Sequence, residues 1–421
     1  MSKPVIVFLT TAWADIDDRI RAGRQPGGVP SVTLIWKECL INGYEVHVFI
    51  TTFLDRNWPR ETIELDGVHF HWINMSCHKA VRWLQKRKLI GITRVFSILW
   101  QMKMWKRICE SEIIPNIVYL MRPTFALVGW RWAKQVGAII VLRQYGTRIY
   151  QFWGIEKNLI QRLRSLGEYW AMKMPMDLFI MTNDGSMGDK AARLCGIPVE
   201  KFRFWINGVN KNLRFINYNK QVGKFKLGLP KNAPIIMTLG RLVFPKRIDR
   251  IIAAFPQILK SFPKARLVIV GNGPLRQQLS DYAQHLCVET AVDFIGVVSH
   301  NEIGQYLNIC DIFVMSNDYT NMGNTLIEAL TCGCCIVTRN VGDTMIIAKN
   351  DLNSIVLDPG EPEQFAREII ELLGDKEKRK RLEENAYAWS MDNFLTWDER
   401  MAMEVHTLNE LCRHKSSEKL I

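Results

Sequence analysis

Two cations, Arg241 and Lys246, leave the apolar run IIMTLG in the stretch TLGRLVFPKRIDRII, just ahead of a helical pattern. Arginine offers a planar fork of donors and lysine a compact charge, a pairing suited to a diphosphate. Taken by spacing alone, they are two solvated cations. Further along, SNDYTNMGNTLIEALTCG (316–333) follows another apolar run, turns through Asn321 and Gly323, and opens a helix near Asn324 with Thr325 in its first turn. The unpaired N–H groups of such a helix start hold a phosphate or a sugar hydroxyl. Glu328, inside that helix, can accept paired hydrogen bonds from vicinal hydroxyls such as those of a ribose; its plainer role is a helix-dipole partner worth about 0.3–1 kcal/mol. Asp318 lies two residues before Thr320 in the preceding loop, where an aspartate either binds a hydroxyl or stabilises a turn.

Two glycine turns join these. Gly27 and Gly28 precede a helix starting near Ser31, where backbone can approach a phosphate. Gly271-Asn272-Gly273 turns from the run RLVIVG into another helix. A Gly-x-Gly there suggests nucleotide contact, and the missing third glycine of the dinucleotide fingerprint counts against NAD.

The elements that must position these residues are short β-branched runs alternating with longer helical patterns. VIVFLT, EVHVFI, FHWI, IVYL, AIIVLR and LFIMT read as strands in the first half, and IIMTLG, RLVIVG, VDFIG, IFVM, CIVT and SIVLD in the second. Most are continuously apolar, the mark of parallel strands buried on both faces. The alternation repeated twice predicts an α/β protein with two doubly wound, Rossmann-like domains. The expected boundaries are 1–205, 206–385 and a helical C-terminal segment, 386–421, that returns to the first domain. In open parallel sheets ligands bind at the carboxyl ends of the strands, and all four loops fall there.

Composition sets further bounds. The 421 residues carry a net charge of +13 and are 48% hydrophobic, so cores are affordable and anionic partners are favoured. Cys39, Cys109 and Cys310 sit in apolar or helical runs and read as reduced core residues, in keeping with a cytoplasmic setting. The group Cys332, Cys334 and Cys335 lacks the paired C-x-x-C spacing of a zinc site. No uncharged apolar stretch reaches the length of a membrane span, and the N-terminus reads as a first strand rather than a signal peptide. The segment 82–108, basic and rich in tryptophan, is expected either to lie on an anionic membrane or to pack on the first sheet with its cations in water.

The ordered set GRLVFPKRID, VIVGNGPL, FIGVVSHNEIGQYLNICDIFVMSN and GNTLIEALTCGCCIVT resembles glycosyltransferase family four, retaining enzymes of the GT-B architecture. NGVN at 207–210 and LTWDERM near the final helix fit the same resemblance, which covers nearly the whole chain. It implies two Rossmann-like domains facing a cleft, the first binding an acceptor and the second a nucleotide sugar. By resemblance, Arg241 and Lys246 bind the donor's pyrophosphate, Glu328 holds the ribose, and Gly27 and Gly28 approach the phosphates. Gly296 to Val298 lies against the base, and Gly273, Asn321, Gly323, Asn324 and Thr325 complete the donor site. Two positions depart from the family. Thr320 stands where an earlier glutamate contacts the donor sugar, so Asp318 is expected to bind the sugar hydroxyl, with Thr320 or Asn321 beside it. Tyr145 stands where a histidine is common, and is the acceptor-side candidate.

The implied activity is transfer of a hexose-type sugar from a UDP- or GDP-linked donor to a saccharide or lipid-linked acceptor. No metal is implied, and no nucleic acid. The alternatives are a catalytically silent GT-B protein that binds nucleotide or glycan, and a sugar-nucleotide epimerase. The expected location is cytoplasmic or peripheral at the inner face of a membrane.

Overall fold

The computed structural model of the protein describes residues 3–12, 16–26, 30–52, 62–74, 90–183, 186–213, 219–299, 302–318 and 324–418, with the side chains of 90–99 left aside. The chain forms two compact units. One comprises Met1–Thr182, Gly188–Asn207 and Trp397–Ile421; the other comprises Asn183–Met187 and Gly208–Thr396.

The first unit is built on an eight-stranded sheet of order β3-β4-β2-β1-β5-β6-β7-β8. In chain order its strands are β1 (Val5–Thr11), β2 (Glu45–Thr52), β3 (Ile63–Leu65), β4 (Val68–Asn74), β5 (Ile117–Leu120), β6 (Ile139–Gln144), β7 (Leu178–Thr182) and β8 (Phe202–Trp205). All pairings are parallel except β3 with β4, an edge hairpin. The continuously apolar runs are buried on both faces: every residue of β5, β6 and β7 is buried. The pattern reading misses β3 and β8, which are short and carry charged or aromatic residues instead of a β-branched run.

The second unit has a six-stranded parallel sheet of order β11-β10-β9-β12-β13-β14. The strands are β9 (Ile235–Leu239), β10 (Arg266–Val270), β11 (Val292–Gly296), β12 (Ile312–Met315), β13 (Ile336–Arg339) and β14 (Ile355–Leu357). From β9 the sheet grows one way through β10 and β11, and from β12 the other way through β13 and β14. The strand order therefore reverses between β9 and β12. That gap is the switch point at which open α/β sheets bind ligands. Helices Ile248–Ser261 and Pro362–Gly374 cover one face, burying Ile251, Ile252, Phe255 and Ile258 from the first and Phe365, Ala366, Ile369 and Leu372 from the second.

The polar segment between the units holds a helix, Lys220–Lys226, that its turn-rich composition conceals. Lys224 within it is buried, and its ammonium donates to the Ala233 carbonyl and the Asp311 carboxylate, both at 2.8 Å. Residue 386, the expected start of the C-terminal segment, falls inside helix Lys376–Asn393 of the second unit. The return to the first unit comes at helix Trp397–Glu418, whose Trp397, Met401, Val405 and Leu408 form a helical stripe in the first unit's core.

A buried ionic cluster fixes that helix. Glu404 is fully buried and receives Arg143 at 2.6 Å, Arg400 at 2.8 Å and the Tyr119 hydroxyl. Burial alone would raise the Glu404 carboxyl, but Arg143 and Arg400 override it and hold the group below its ordinary range. Among the free cysteines, Cys39 and Cys310 are buried as expected, whereas Cys109 is exposed on the outer side of helix Ile90–Glu110. Glu404→Ala strands two buried guanidinium groups without a counter-charge and is expected to cost about 3–5 kcal/mol. Urea unfolding measures this, and a loss below about 1 kcal/mol would show that the cluster does not hold the helix.

Candidate functional site

At the switch point the chain leaves β9 through Gly240 and Arg241 and makes a single 3-10 turn, Phe244–Lys246, before helix Ile248–Ser261. Arg241 is exposed, and among the described residues its guanidinium has no partner. Lys246 is half-buried with its Cε chain over Gly240, where an added Cβ would meet it at 3.8 Å. Its ammonium likewise has no ion pair or hydrogen-bond acceptor among the described residues, and burial lowers its pKa. A half-buried cation without a counter-ion gains most from an incoming anion, which supplies both a counter-charge and hydrogen-bond acceptors.

Arg247, between Lys246 and the helix, sits in the left-handed region at φ 46°. Such a conformation costs roughly 1–3 kcal/mol unless its surroundings enforce it. Here they do. The Arg247 guanidinium grips Asp249 at 2.9–3.1 Å and reaches Asp318 at 2.9 Å. Asp318 also receives Arg250, and Arg339 at 2.7 Å from the end of β13. The loop after β12 is stitched to the turn after β9 by further bonds: Asp318 N–H to the Pro245 carbonyl at 2.9 Å, and the Ser316 hydroxyl to the Arg247 carbonyl at 2.7 Å.

Asp318 has a structural part besides the one expected for it: its carboxylate is the counter-charge to three guanidinium groups. Arg247 and Arg250 are sequence neighbours of the expected phosphate cations, and Arg339 ends a buried apolar strand. A charge at such a strand end was the available signal for it.

Beyond the loop, helix Asn324–Thr331 begins. Thr320, Asn321 and Gly323, expected in the donor site, lie outside the described residues, as do Gly27 and Gly28 in the first unit. Asn324 and Thr325 are half-buried in the first turn, and the Thr325 hydroxyl oxygen is buried without a hydrogen-bond partner among the described residues. Glu328 is 5% exposed, and burial pushes its carboxyl up to about 7. The acid on this helix is thus divided between its protonated and ionised forms near neutral pH, and the protonated form can donate as well as accept a hydrogen bond.

The glycines of the β10 turn have a structural reason. A Cβ on Gly271 would collide with the Gly240 carbonyl, and one on Gly273 with the Leu242 backbone. The turns after β9, β10 and β11 stack backbone on backbone, with Gly240 N–H to Val270 carbonyl at 2.9 Å, Leu242 N–H to Asn272 carbonyl at 3.0 Å, and Gly271 N–H to Gly296 carbonyl at 2.7 Å. Gly273, expected to touch the donor, is accounted for by this close approach. Val298 is half-buried just past β11, beside the exposed Val297.

Tyr145 belongs to the first unit, just past β6. Its hydroxyl donates to the Ser31 carbonyl at 3.2 Å and its ring lies 4.9 Å from the Arg143 guanidinium. Burial pushes the phenol up to about 12. Its described contacts tie the start of helix Pro30–Ile41 to the sheet.

The second unit's site therefore gathers Arg247, Arg250 and Arg339 around Asp249 and Asp318, with Arg241 and Lys246 on the adjoining turn after β9. Five cations against two aspartates leave positive charge in surplus beside a helix start, an arrangement suited to an anion.

Residues 219–389 match a family model described as Glycosyl transferases group 1. The chain is 28% identical over 225 residues to an uncharacterized glycosyltransferase of Methanocaldococcus jannaschii, covering 50% of this chain and 56% of that protein. It spans about half the length of the curated relatives it matches. In fold it is similar to sucrose-phosphate synthase from Thermosynechococcus elongatus, with a TM-score of 0.73 at 18% identity over 97% of this chain and 99% of that one. It is also similar to Anabaena HepE in complex with UDP-glucose, with a TM-score of 0.66 at 17% identity over 96% and 99%.

The raised Glu328 carboxyl makes a pH prediction. The folded protein keeps a proton that the unfolded chain releases above its ordinary pKa, so this group's stabilising contribution is full below about pH 4.5 and is lost as pH rises to about 7. Glu328→Gln removes the dependence. Relative to wild type it gains stability between pH 5 and pH 8, on the order of 3 kcal/mol at most. Urea unfolding at both values tests this, and a pH-independent difference would refute it.

Proposed function

We propose, on the match of residues 219–389 to the Glycosyl transferases group 1 model and the likeness in fold to GT-B structures, that the protein is a retaining glycosyltransferase. It takes a nucleoside-diphosphate sugar, UDP- or GDP-linked, and moves a hexose-type sugar to a saccharide or lipid-linked acceptor. The observation that carries this reading is Lys246: a half-buried ammonium without a counter-ion among the described residues, at the sheet's switch point, on the turn after β9, with the helix that carries Glu328 following the neighbouring strand β12.

In this reading Lys246 and Arg241 take the pyrophosphate, Glu328 takes the ribose hydroxyls, and Asn324 and Thr325 offer backbone N–H groups at the helix start. Reaction breaks the bond between the sugar's anomeric carbon and the diphosphate oxygen and forms one to the acceptor oxygen on the same face. The acceptor's proton passes to the departing diphosphate. Negative charge grows on that leaving group, and fixed cations stabilise it more in the transition state than in the ground state. Arg247, Arg250 and Arg339 are already neutralised in part by Asp249 and Asp318, so they add to the local potential and position the loop. The acceptor role falls to the first unit. HepE in complex with UDP-glucose has the same fold, which supports a donor of this class.

Calorimetry with UDP, GDP and ADP in EDTA is the direct test. One of the three is expected to bind without a divalent ion. A charge-assisted hydrogen bond contributes about 1.5–3 kcal/mol, so Lys246→Ala is expected to weaken binding roughly tenfold or more. Absence of binding, or a strict requirement for a divalent cation, would overturn the donor assignment. Release of nucleotide from the bound donor only when an acceptor is supplied separates transfer from silent binding and from epimerisation.

A further inference from the structure

Helix Leu159–Lys173 of the first unit is turned inside out. Its polar residues face inward. Arg162 donates to the Phe152 and Trp153 carbonyls at 3.2 and 2.9 Å, and the Ser165 hydroxyl accepts from the Trp153 indole at 2.9 Å. Glu168 accepts from the Thr147 hydroxyl at 2.6 Å and from Gln144. Tyr169 stacks on Trp153 with ring centroids 3.9 Å apart and planes 4° off parallel.

The outward side is apolar. Leu159 is 70% exposed, Ile160 60%, Leu163 48% and Trp170 59%, and Ile155 just before the helix is 58%. The remaining exposed positions of the helix are Arg164, Gly167 and Lys173, so this face carries two cations and no acid. Lys157 adds a third exposed cation at the helix entrance. Scattered exposed leucines are ordinary, but an apolar stripe flanked by three cations and one acid, on a helix whose Arg162, Ser165 and Glu168 are bonded inward, is a contact surface.

The segment 82–108, expected to meet a membrane, does not offer such a face where it is described. In its helix, Ile90–Glu110, Met104 and Ile108 are buried in the core and Trp100 and Trp105 pack against it. Residues 82–89 and the side chains of 90–99 lie outside the described residues.

We propose that the outward face of helix Leu159–Lys173 docks on a lipid surface carrying anionic headgroups. Leu159, Ile160 and Leu163 enter the acyl boundary, Trp170 sits at the headgroup level, and Lys157, Arg164 and Lys173 meet the lipid phosphates. The chemistry selects this occupant over a protein groove: aliphatic side chains and one tryptophan, rimmed by the cations Lys157, Arg164 and Lys173 against a single exposed acid, Glu156, which accepts from the Gln151 amide, complement an apolar layer beneath a negative one. Among the described residues no helix is long and apolar enough to cross a membrane, so this face provides attachment without a span. The inference goes beyond the transfer reaction and does not depend on it.

Sedimentation of the full chain with sonicated vesicles of phosphatidylcholine, with and without phosphatidylglycerol, at low and high salt tests it. The wild type is expected to pellet with the anionic vesicles, less so at high salt as screening shortens the reach of the cations. Ile160→Ser with Trp170→Ser is expected to lower vesicle partitioning at least tenfold. Arg164→Ser, a mild surface change that keeps the fold, is expected to lower it severalfold on anionic vesicles alone. Nucleotide binding, read by the calorimetry above, should be unchanged in all of them and reports folding. Wild type left in the supernatant overturns the proposal. So does partitioning that the variants do not alter, or a wild-type dimer in light scattering that the double variant turns to monomer without loss of vesicle binding.

Discussion

Three guanidinium groups from three places in the second unit converge on one carboxylate, that of Asp318. Arginines this close repel one another, and without the shared anion Arg247, Arg250 and Arg339 would splay and take the turn after β9 away from the loop after β12. Those segments flank the place where the strand order reverses. The carboxylate therefore sets the spacing on which the expected phosphate site rests, and it also enforces the left-handed backbone at Arg247. Because it balances fewer charges than it gathers, the neighbourhood stays positive, and Lys246 keeps a site that an anion completes.

How much of this was legible depends on which physical signal each element carries. Parallel strands buried on both faces leave long apolar runs, so β1, β2, β4 to β7 and β9 to β14 were visible, and with them the doubly wound class. β3 and β8 lie toward the sheet edges and are short, and the helix Lys220–Lys226 owes its place to a lysine that a composition reading assigns to solvent. Sequence also placed the expected loops of the second unit at strand ends beside the switch point, because that rule acts on topology. It could not show the structural tasks of Asp318 and Gly273, since neither the arginines that converge on the one nor the backbone pressed against the other can be inferred from spacing along the chain. Gly27, Gly28, Thr320, Asn321 and Gly323 lie outside the described residues.

The contrast between the two basic, tryptophan-bearing helices of the first unit has the same origin. Composition singles out 82–108 because its cations and aromatics are dense. Which side of a helix meets water is decided elsewhere, by what the neighbouring elements offer. Helix Leu159–Lys173 found its inward partners in a tryptophan ring, two backbone carbonyls and a threonine hydroxyl, and that match turned its aliphatic residues outward.

The ionic cluster at Glu404 bears on how the protein is made. Emerging from the ribosome at about 5–20 residues per second, a chain ordinarily completes its first domain first. Here Tyr119 and Arg143 sit in the middle strands of the first unit, yet the acid that neutralises them arrives on helix Trp397–Glu418. The second unit, whose strands and covering helices run only to Thr396, has its whole complement before then. The order of birth and the order of completion are thus reversed. Until helix Trp397–Glu418 is made, Arg143 stands in the first unit's core without its carboxylate partner.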